Sequence, residues 1–243
     1  PLKVVDLHQE FEKRVMNYFV KQYASGFTPN PCVVCNAEIK FGLLLKEALK
    51  NAKKVASGHY TRLRRVKGEY FLFRGKDPSK EQSYFLWRIS KKVLPYLVFP
   101  LGNRTKKEVK RLAEKLSYQP LPESADLCFV SDIKAFLAKK LPSLARPGRV
   151  LDLKGRVIGR HRGIIFYTVG QRSGFELDKS KLNRPSSLPP LYVKKIIPQH
   201  NQIVVAPRQF LYQREIKVAH LNWFIRPSLR FEALVQIRYG HSP

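Results

Sequence analysis

Cys35 closes the segment Thr28-Pro29-Asn30-Pro31-Cys32-Val33-Val34-Cys35-Asn36, and Cys128 stands far downstream in Ser124-Ala125-Asp126-Leu127-Cys128-Phe129. A cysteine acts as nucleophile or metal ligand only as its thiolate, so position decides what each can do. Residues 37–49 are rich in helix formers and Asn36 reads as their N-cap. Cys35 is therefore expected beside a helix N-terminus, where the partial positive charge and Lys40 on the following turn favour a thiolate. Taken alone, Cys32-Val33-Val34-Cys35 also reads as half of a zinc site, as a thioredoxin-like redox pair, or as two small residues in a tight loop. A structural zinc site needs about four ligands, and the sequence offers neither a second Cys-x-x-Cys nor a His-x₃₋₅-His. Cys128, in an apolar Leu-Cys-Phe-Val stretch, would by itself be an inert core residue.

Elements to hold these residues can be read on either side of them. Val4, Val5, Phe11, Val15, Tyr18 and Phe19 recur at near-helical spacing, predicting a first helix over 5–24 that Gly26 stops. Lys54-Val55-Ala56-Ser57 reads as a short buried strand running into Gly58-His59-Tyr60. Thr105-Lys106-Lys107-Glu108 is a capping box opening a helix to about Lys115, and a shorter helix is expected over 132–139. After Leu141-Pro142 the pattern turns to short β-type runs: Arg149 to Asp152 and Arg156 to Ile158 form a hairpin signal about Gly155, and Ile164 to Val169 reads as a strand. Pro185 to Pro190 reads as a linker. Leu191 to Ile197 and Gln202 to Val205 then face each other, and Ala233 to Tyr239 reads as a last strand. The expected organisation is an α/β domain over 1–137, a small β-rich domain over 138–190 and the start of a β-barrel over 191–243.

The whole chain must also satisfy its charge. Its 243 residues carry 46 Lys+Arg against 18 Asp+Glu, a net charge of +28. That excess points to a polyanion, nucleic acid first. No apolar run approaches the roughly 20 residues that span a bilayer, no lipidation signal is present, and no membrane partner is expected. An odd count of 3 cysteines is no secreted disulfide framework. The cytoplasm is the expected compartment.

Read together, the words around both cysteines resemble one family, the tRNA-specific 2-thiouridylases. The resemblance is carried by Thr28 to Gly42, Ala56-Ser57-Gly58-His59-Tyr60, Lys80-Glu81-Gln82-Ser83-Tyr84-Phe85-Leu86 and Asp126-Leu127-Cys128-Phe129. It continues through Gly155 to Gly163, Tyr167 to Gly174, Leu221-Asn222-Trp223 and Ile237-Arg238-Tyr239. The resemblance implies an adenine nucleotide alpha-hydrolase-like α/β catalytic domain, N-terminally incomplete, followed by a β-rich central domain and an incomplete C-terminal β-barrel. It implies ATP and Mg2+ as cofactors, tRNA for lysine, glutamate and glutamine as substrate, and a sulfur-relay protein or cysteine desulfurase as donor. A monomer is expected.

By the same resemblance Cys128 is the persulfide carrier. Cys35 is its partner, left in a Cys35–Cys128 disulfide after the sulfur departs. Gly58 matches a backbone contact to ATP. Asn30, Pro31 and Cys32 match base contacts, and His59, Lys80, Glu81, Gln82, Arg238 and Tyr239 match positions that touch tRNA. Gly163 and Gly170 are assigned to turns, with His161, Gln171 and Arg172 structural or tRNA-binding. No residue is assigned to a metal. The sequence departs from the family in lacking its Ser-Gly-Gly-Val-Asp-Ser phosphate loop, so the chain is expected to be a fragment of an enzyme. A catalytically inactive tRNA-binding remnant is the alternative, and a zinc-stabilised RNA-binding module a third reading.

Overall fold

The computed structural model describes residues 2–118, 127–178, 180 and 189–239. The chain divides into two compact units, one of Pro1–Val15, Pro31–Glu123 and Ala219–Pro243, the other of Met16–Asn30 and Ser124–Val218. Asp126 and most of the Pro185 to Pro190 linker lie outside the described residues.

Helix α1 covers residues 8–24, as α-helix at His8–Phe11 and Asn17–Ala24 with π-type hydrogen bonding across Glu12–Met16 between them. Its apolar stripe buries Val15 and Phe19, and Gly26, at φ 80°, supplies the left-handed residue that ends it. Helix α2 covers residues 31–48, with α-type turns at Pro31–Val34 and Leu45–Ala48 and a wider π-type stretch over Cys35–Leu44. It starts five residues before the expected cap. Pro31 explains this, because a residue with fixed φ and no N–H suits the first helical position.

In the first unit strand β1 (Val55–Ala56) pairs in parallel with β4 (Leu97–Val98). The expected buried strand is thus two residues long, with Ala56 exposed. Strands β2 (Thr61–Val66) and β3 (Glu69–Arg74) form an antiparallel hairpin turned by Lys67 and Gly68, both at positive φ. Phe41 and Leu45 of α2 join Leu86, Ile89, Leu94, Leu97 and Phe99 in one buried cluster, against which Leu63, Tyr70 and Leu72 of the hairpin pack. Helix α3 (Lys106–Lys115) carries the expected capping box: Thr105 Oγ1 accepts from the Glu108 amide and Glu108 accepts from the Thr105 amide.

In the second unit, Asp132 caps α4 (Ile133–Lys140) by accepting from the Lys134 and Ala135 amides. Strands β5 (Gly148–Leu151), β6 (Val157–His161), β7 (Phe175–Leu177), β8 (Leu191–Ile197) and β9 (Gln202–Pro207) form one 5-stranded sheet in the order β7-β6-β5-β9-β8. The β5/β6 hairpin is as expected, with Gly155 at φ 78°. Residues Ile164–Phe166 form a 3₁₀ turn, not a strand, because Gly163 at φ 145° redirects the chain and buries Ile164 and Ile165.

The expected domain break at 190 falls inside this sheet: β5 pairs in parallel with β9 through Arg149↔Gln202, Val150↔Ile203 and Leu151↔Val204. A Pro-rich segment marks where pairing stops, not which sheet the next strand joins. Val150, Ile158, Val193, Ile203 and Val205 share one core, so the β-rich segment and the partial barrel are one structure. Among the described residues Ala233 to Tyr239 form no strand, since no neighbouring strand runs beside them. The chain from Ala219 on belongs to the first unit, where Asn222 Nδ2 donates to the Trp87 and Ile89 carbonyls and Lys91 Nζ donates to the Phe224 carbonyl at 2.7 Å.

Candidate active site

Cys35 sits one turn inside α2 and is half-buried, as is Cys32 in the first turn. Asn36, expected to cap this helix, is inside it, 3% exposed, with Nδ2 donating to the Phe85 carbonyl at 3.2 Å. That bond fixes the turn carrying Cys35 against the Ser83–Leu86 3₁₀ turn. A second tie comes from Arg88, whose Nη2 lies 2.8 Å from Glu38 Oε1. Cys32, Cys35 and Cys128 are all thiols, with no disulfide.

Gly58 follows β1 at an exposed position, and a Cβ added there would meet only Leu101 Cδ1, at 3.9 Å. The backbone is open to close approach of another group. His59, next to it, is buried. Its ring lies 5.7 Å from that of Phe41 and 6.2 Å from that of Phe99, and its Nδ1 is 2.7 Å from Ser57 Oγ. Burial lowers its pKa from 6.5 to about 4, with Lys40 adding repulsion, so the imidazole is neutral at neutral pH.

Two segments flagged for RNA contact come together in this unit. Gln82 clasps Tyr60 at both ends: its amide donates to the Tyr60 carbonyl at 3.0 Å and its Oε1 accepts from the Tyr60 amide at 3.0 Å. Glu81 turns its carboxylate to the Ser83 amide at 2.6 Å. The Tyr239 ring is 4.6 Å from that of Phe85 and 6.2 Å from that of Tyr84, and Tyr84 Oη donates to the Ile237 carbonyl at 3.3 Å. Burial raises the Tyr84 pKa while nearby Arg238 opposes the shift. Arg238 is therefore held beside the Tyr84, Phe85 and Tyr239 rings, with Lys80 four residues before Tyr84 in sequence.

Asp77 was missed by the sequence reading. It is buried and accepts from Ser79 N at 3.0 Å, Ser79 Oγ at 2.7 Å and Lys106 N at 2.8 Å. These bonds, the Lys106 amide first, hold its pKa below the usual carboxylate value. The carboxylate seats the Lys80 loop on the first turn of α3. An acidic residue three before a Lys was the available signal, but nothing local showed that a helix 29 residues on would donate to it.

In the second unit Cys128 is exposed on a turn between anchored apolar neighbours. Leu127 is buried, and the Phe129 ring meets Phe19 at 6.0 Å and Phe136 at 6.4 Å. The default of an inert core cysteine does not hold: Leu127 takes the core position, Phe129 packs half-buried, and the thiol is exposed. Asn30 also belongs to this unit. His161 is buried, its Nδ1 accepting from the Gly163 amide at 3.1 Å and its Nε2 donating to the Asn201 carbonyl at 3.0 Å. Gln171 accepts from the Thr168 amide at 3.2 Å and donates to the Ser173 carbonyl at 2.8 Å. Both make these bonds within the unit, and Gly163 and Gly170 stand at positive φ.

The sequence matches a known class of protein along most of its length. A family model described as the tRNA methyl transferase HUP domain matches residues 1–132, and one described as the tRNA methyl transferase PRC-barrel domain matches residues 134–207. The tRNA-specific 2-thiouridylase MnmA of Magnetococcus marinus is 40% identical over 251 residues, covering 100% of this chain and 68% of its own length. Those of Syntrophomonas wolfei and Thermus thermophilus are 43% and 42% identical, with 97% and 100% of this chain and 68% and 64% of their own length covered. The chain thus has an HUP-type α/β domain followed by a PRC-barrel domain. It belongs to the tRNA-specific 2-thiouridylase family and spans about two thirds of the length of these relatives.

Proposed function

We propose that this chain performs the sulfur transfer of a tRNA 2-thiouridylase, giving 2-thiouridine at the wobble position of tRNA for lysine, glutamate and glutamine. The observation that supports this most is Cys128, an exposed thiol held by two anchored neighbours, in a chain whose other thiols lie on a helix locked at Asn36. A thiol so presented is accessible to an external sulfur donor, a relay protein or a cysteine desulfurase acting in the cytoplasm on a monomer.

ATP, when bound, supplies the adenylyl group that makes the C2 oxygen of uracil a leaving group, which a urea-like carbonyl otherwise lacks. Gly58 fits the close approach of such a nucleotide, since almost nothing occupies the space beside its Cα. The family's phosphate loop is absent from this sequence. Among the described residues no group of three or more His, Cys, Asp or Glu is placed to hold a metal ion such as Mg2+. The residues of this chain read as acting on sulfur are Cys35 and Cys128.

In that chemistry the donor leaves Cys128 as a persulfide. The Cys35 thiolate attacks Cys128 Sγ, the persulfide S–S bond breaks, and hydrosulfide departs with the electron pair to attack C2. A Cys35–Cys128 disulfide remains and a dithiol reductant restores both thiols. Asn30, Pro31 and Cys32 contact the base. Lys80 and Arg238 neutralise phosphates, and Tyr239 offers a stacking face. Glu81, Gln82 and His59 shape this surface through their internal bonds.

Persulfide mapping by mass spectrometry after incubation with a sulfur donor tests the reading. The expected result is labile sulfur on the Cys128 peptide, retained in Cys35→Ser and absent in Cys128→Ser. Sulfur carried on Cys35 with Cys128 unmodified would contradict it.

A further inference from the structure

The β2/β3 hairpin is not part of the site described above, yet its surface is built for a polyanion. Alternation along the strands and the register Arg62↔Phe73, Leu63↔Leu72, Arg64↔Phe71, Arg65↔Tyr70 separate its two faces. Leu63, Leu72 and Tyr70 face the core. The opposite face therefore carries Arg62, Arg64, Phe71 and Phe73. Arg64 lies over the Phe73 ring at 5.3 Å, and Lys91 reaches the Phe71 ring at 5.1 Å. Around the tip, Arg65 lies 5.9 Å from the centre of the Tyr70 ring, and Lys67 is exposed.

The charges on this ribbon are one-sided. Arg62, Arg64, Arg65, Lys67 and Arg74 stand against Glu69 alone, and Glu69 pairs with Lys91 at 3.0 Å. Among the described residues none of those arginines has a carboxylate partner. A solvated structural face would intersperse both signs, whereas here the half-buried Phe71 and Phe73 stand among cations. Arg62 and Arg65 donate from Nε to the Arg74 and Gly68 carbonyls, which fixes their guanidinium planes on the hairpin. Arginines beside aromatic rings are the composition that grips phosphates and stacks on bases.

We propose that the outward face and exposed tip of the β2/β3 hairpin form an RNA-binding surface that grips the sugar-phosphate backbone of the tRNA, through Arg62 and Arg64 on that face and Arg65 near the tip. This rests on the reading that tRNA is the substrate, and adds a site to it. The hairpin begins directly after Gly58-His59-Tyr60. Six residues at about 3.3 Å each extend it roughly 20 Å from that point, the length of several nucleotides.

The test is tRNA affinity of the chain across a salt series, for the unsubstituted protein and for Arg64→Ala/Arg65→Ala, with a thermal melt to show that the variant is folded. Loss of two phosphate contacts is expected to weaken binding roughly ten- to thirty-fold near 0.15 M salt and to reduce the slope of log affinity against log salt by roughly 1.4 to 1.8. Phe71→Leu, which keeps every charge, is expected to weaken binding while leaving that slope unchanged. A folded double variant with unsubstituted affinity and slope overturns this proposal alone. Failure of the unsubstituted chain to bind tRNA overturns it together with the proposed function.

Discussion

Single residues show how environment overrides type. Asn36 has the side chain of a helix cap, yet it is buried mid-helix and spends its amide on the Phe85 carbonyl, because Pro31 starts the helix earlier. Cys128 sits in apolar company yet is exposed, since Leu127 is buried and the half-buried Phe129 packs its ring on Phe19 and Phe136. His59 carries a testable consequence. Its folded pKa of about 4 lies below its ordinary 6.5, so the unfolded chain binds the proton more readily. The stability it contributes is complete above about pH 6.5 and is lost as pH falls toward 4, at up to about 1.4 kcal/mol per pH unit. Glu47 and Glu108, held near 2, titrate below that window. Urea unfolding at pH 7 and pH 5 is expected to show the drop, and His59→Asn to flatten it. An unchanged pH dependence in the variant would assign the drop to other groups.

At the scale of elements, local signals were legible wherever the governing chemistry is local. The Thr105/Glu108 capping box, the Asp132 cap and the Gly155 turn all stand as the sequence predicts. What failed turned on a single backbone conformation or on a partner distant in sequence. The Ile164 to Val169 run has strand composition, but Gly163 turns it into a 3₁₀ segment, and Ala233 to Tyr239 has no strand to pair with among the described residues. Gly163 holds φ 145°, and a Cβ there would lie 2.6 Å from the Ala145 carbonyl oxygen. Gly163→Ala is therefore expected to cost on the order of 1–3 kcal/mol or more in chemical unfolding, with Gly155→Ala, whose Cβ meets nothing within 4 Å, costing less. Equal losses would remove close packing as the reason.

The whole molecule was legible in its class and less so in its divisions. The α/β character of the first part, the β character of the second and a basic surface for a polyanion follow from periodicity and a +28 charge. The joining of 191–207 to the sheet of 148–177 does not, since it depends on the parallel β5/β9 pairing across more than forty intervening residues. The central claim is that Cys35 and Cys128 deliver sulfur to tRNA. The most direct measurement is 2-thiouridine in tRNA from cells lacking their own thiouridylase and expressing this protein from its full reading frame. The account predicts that thiolation returns, and that it is lost in both Cys128→Ser and Cys35→Ser while tRNA binding persists. Thiolation that survives either substitution, or none from the unsubstituted protein, would contradict it.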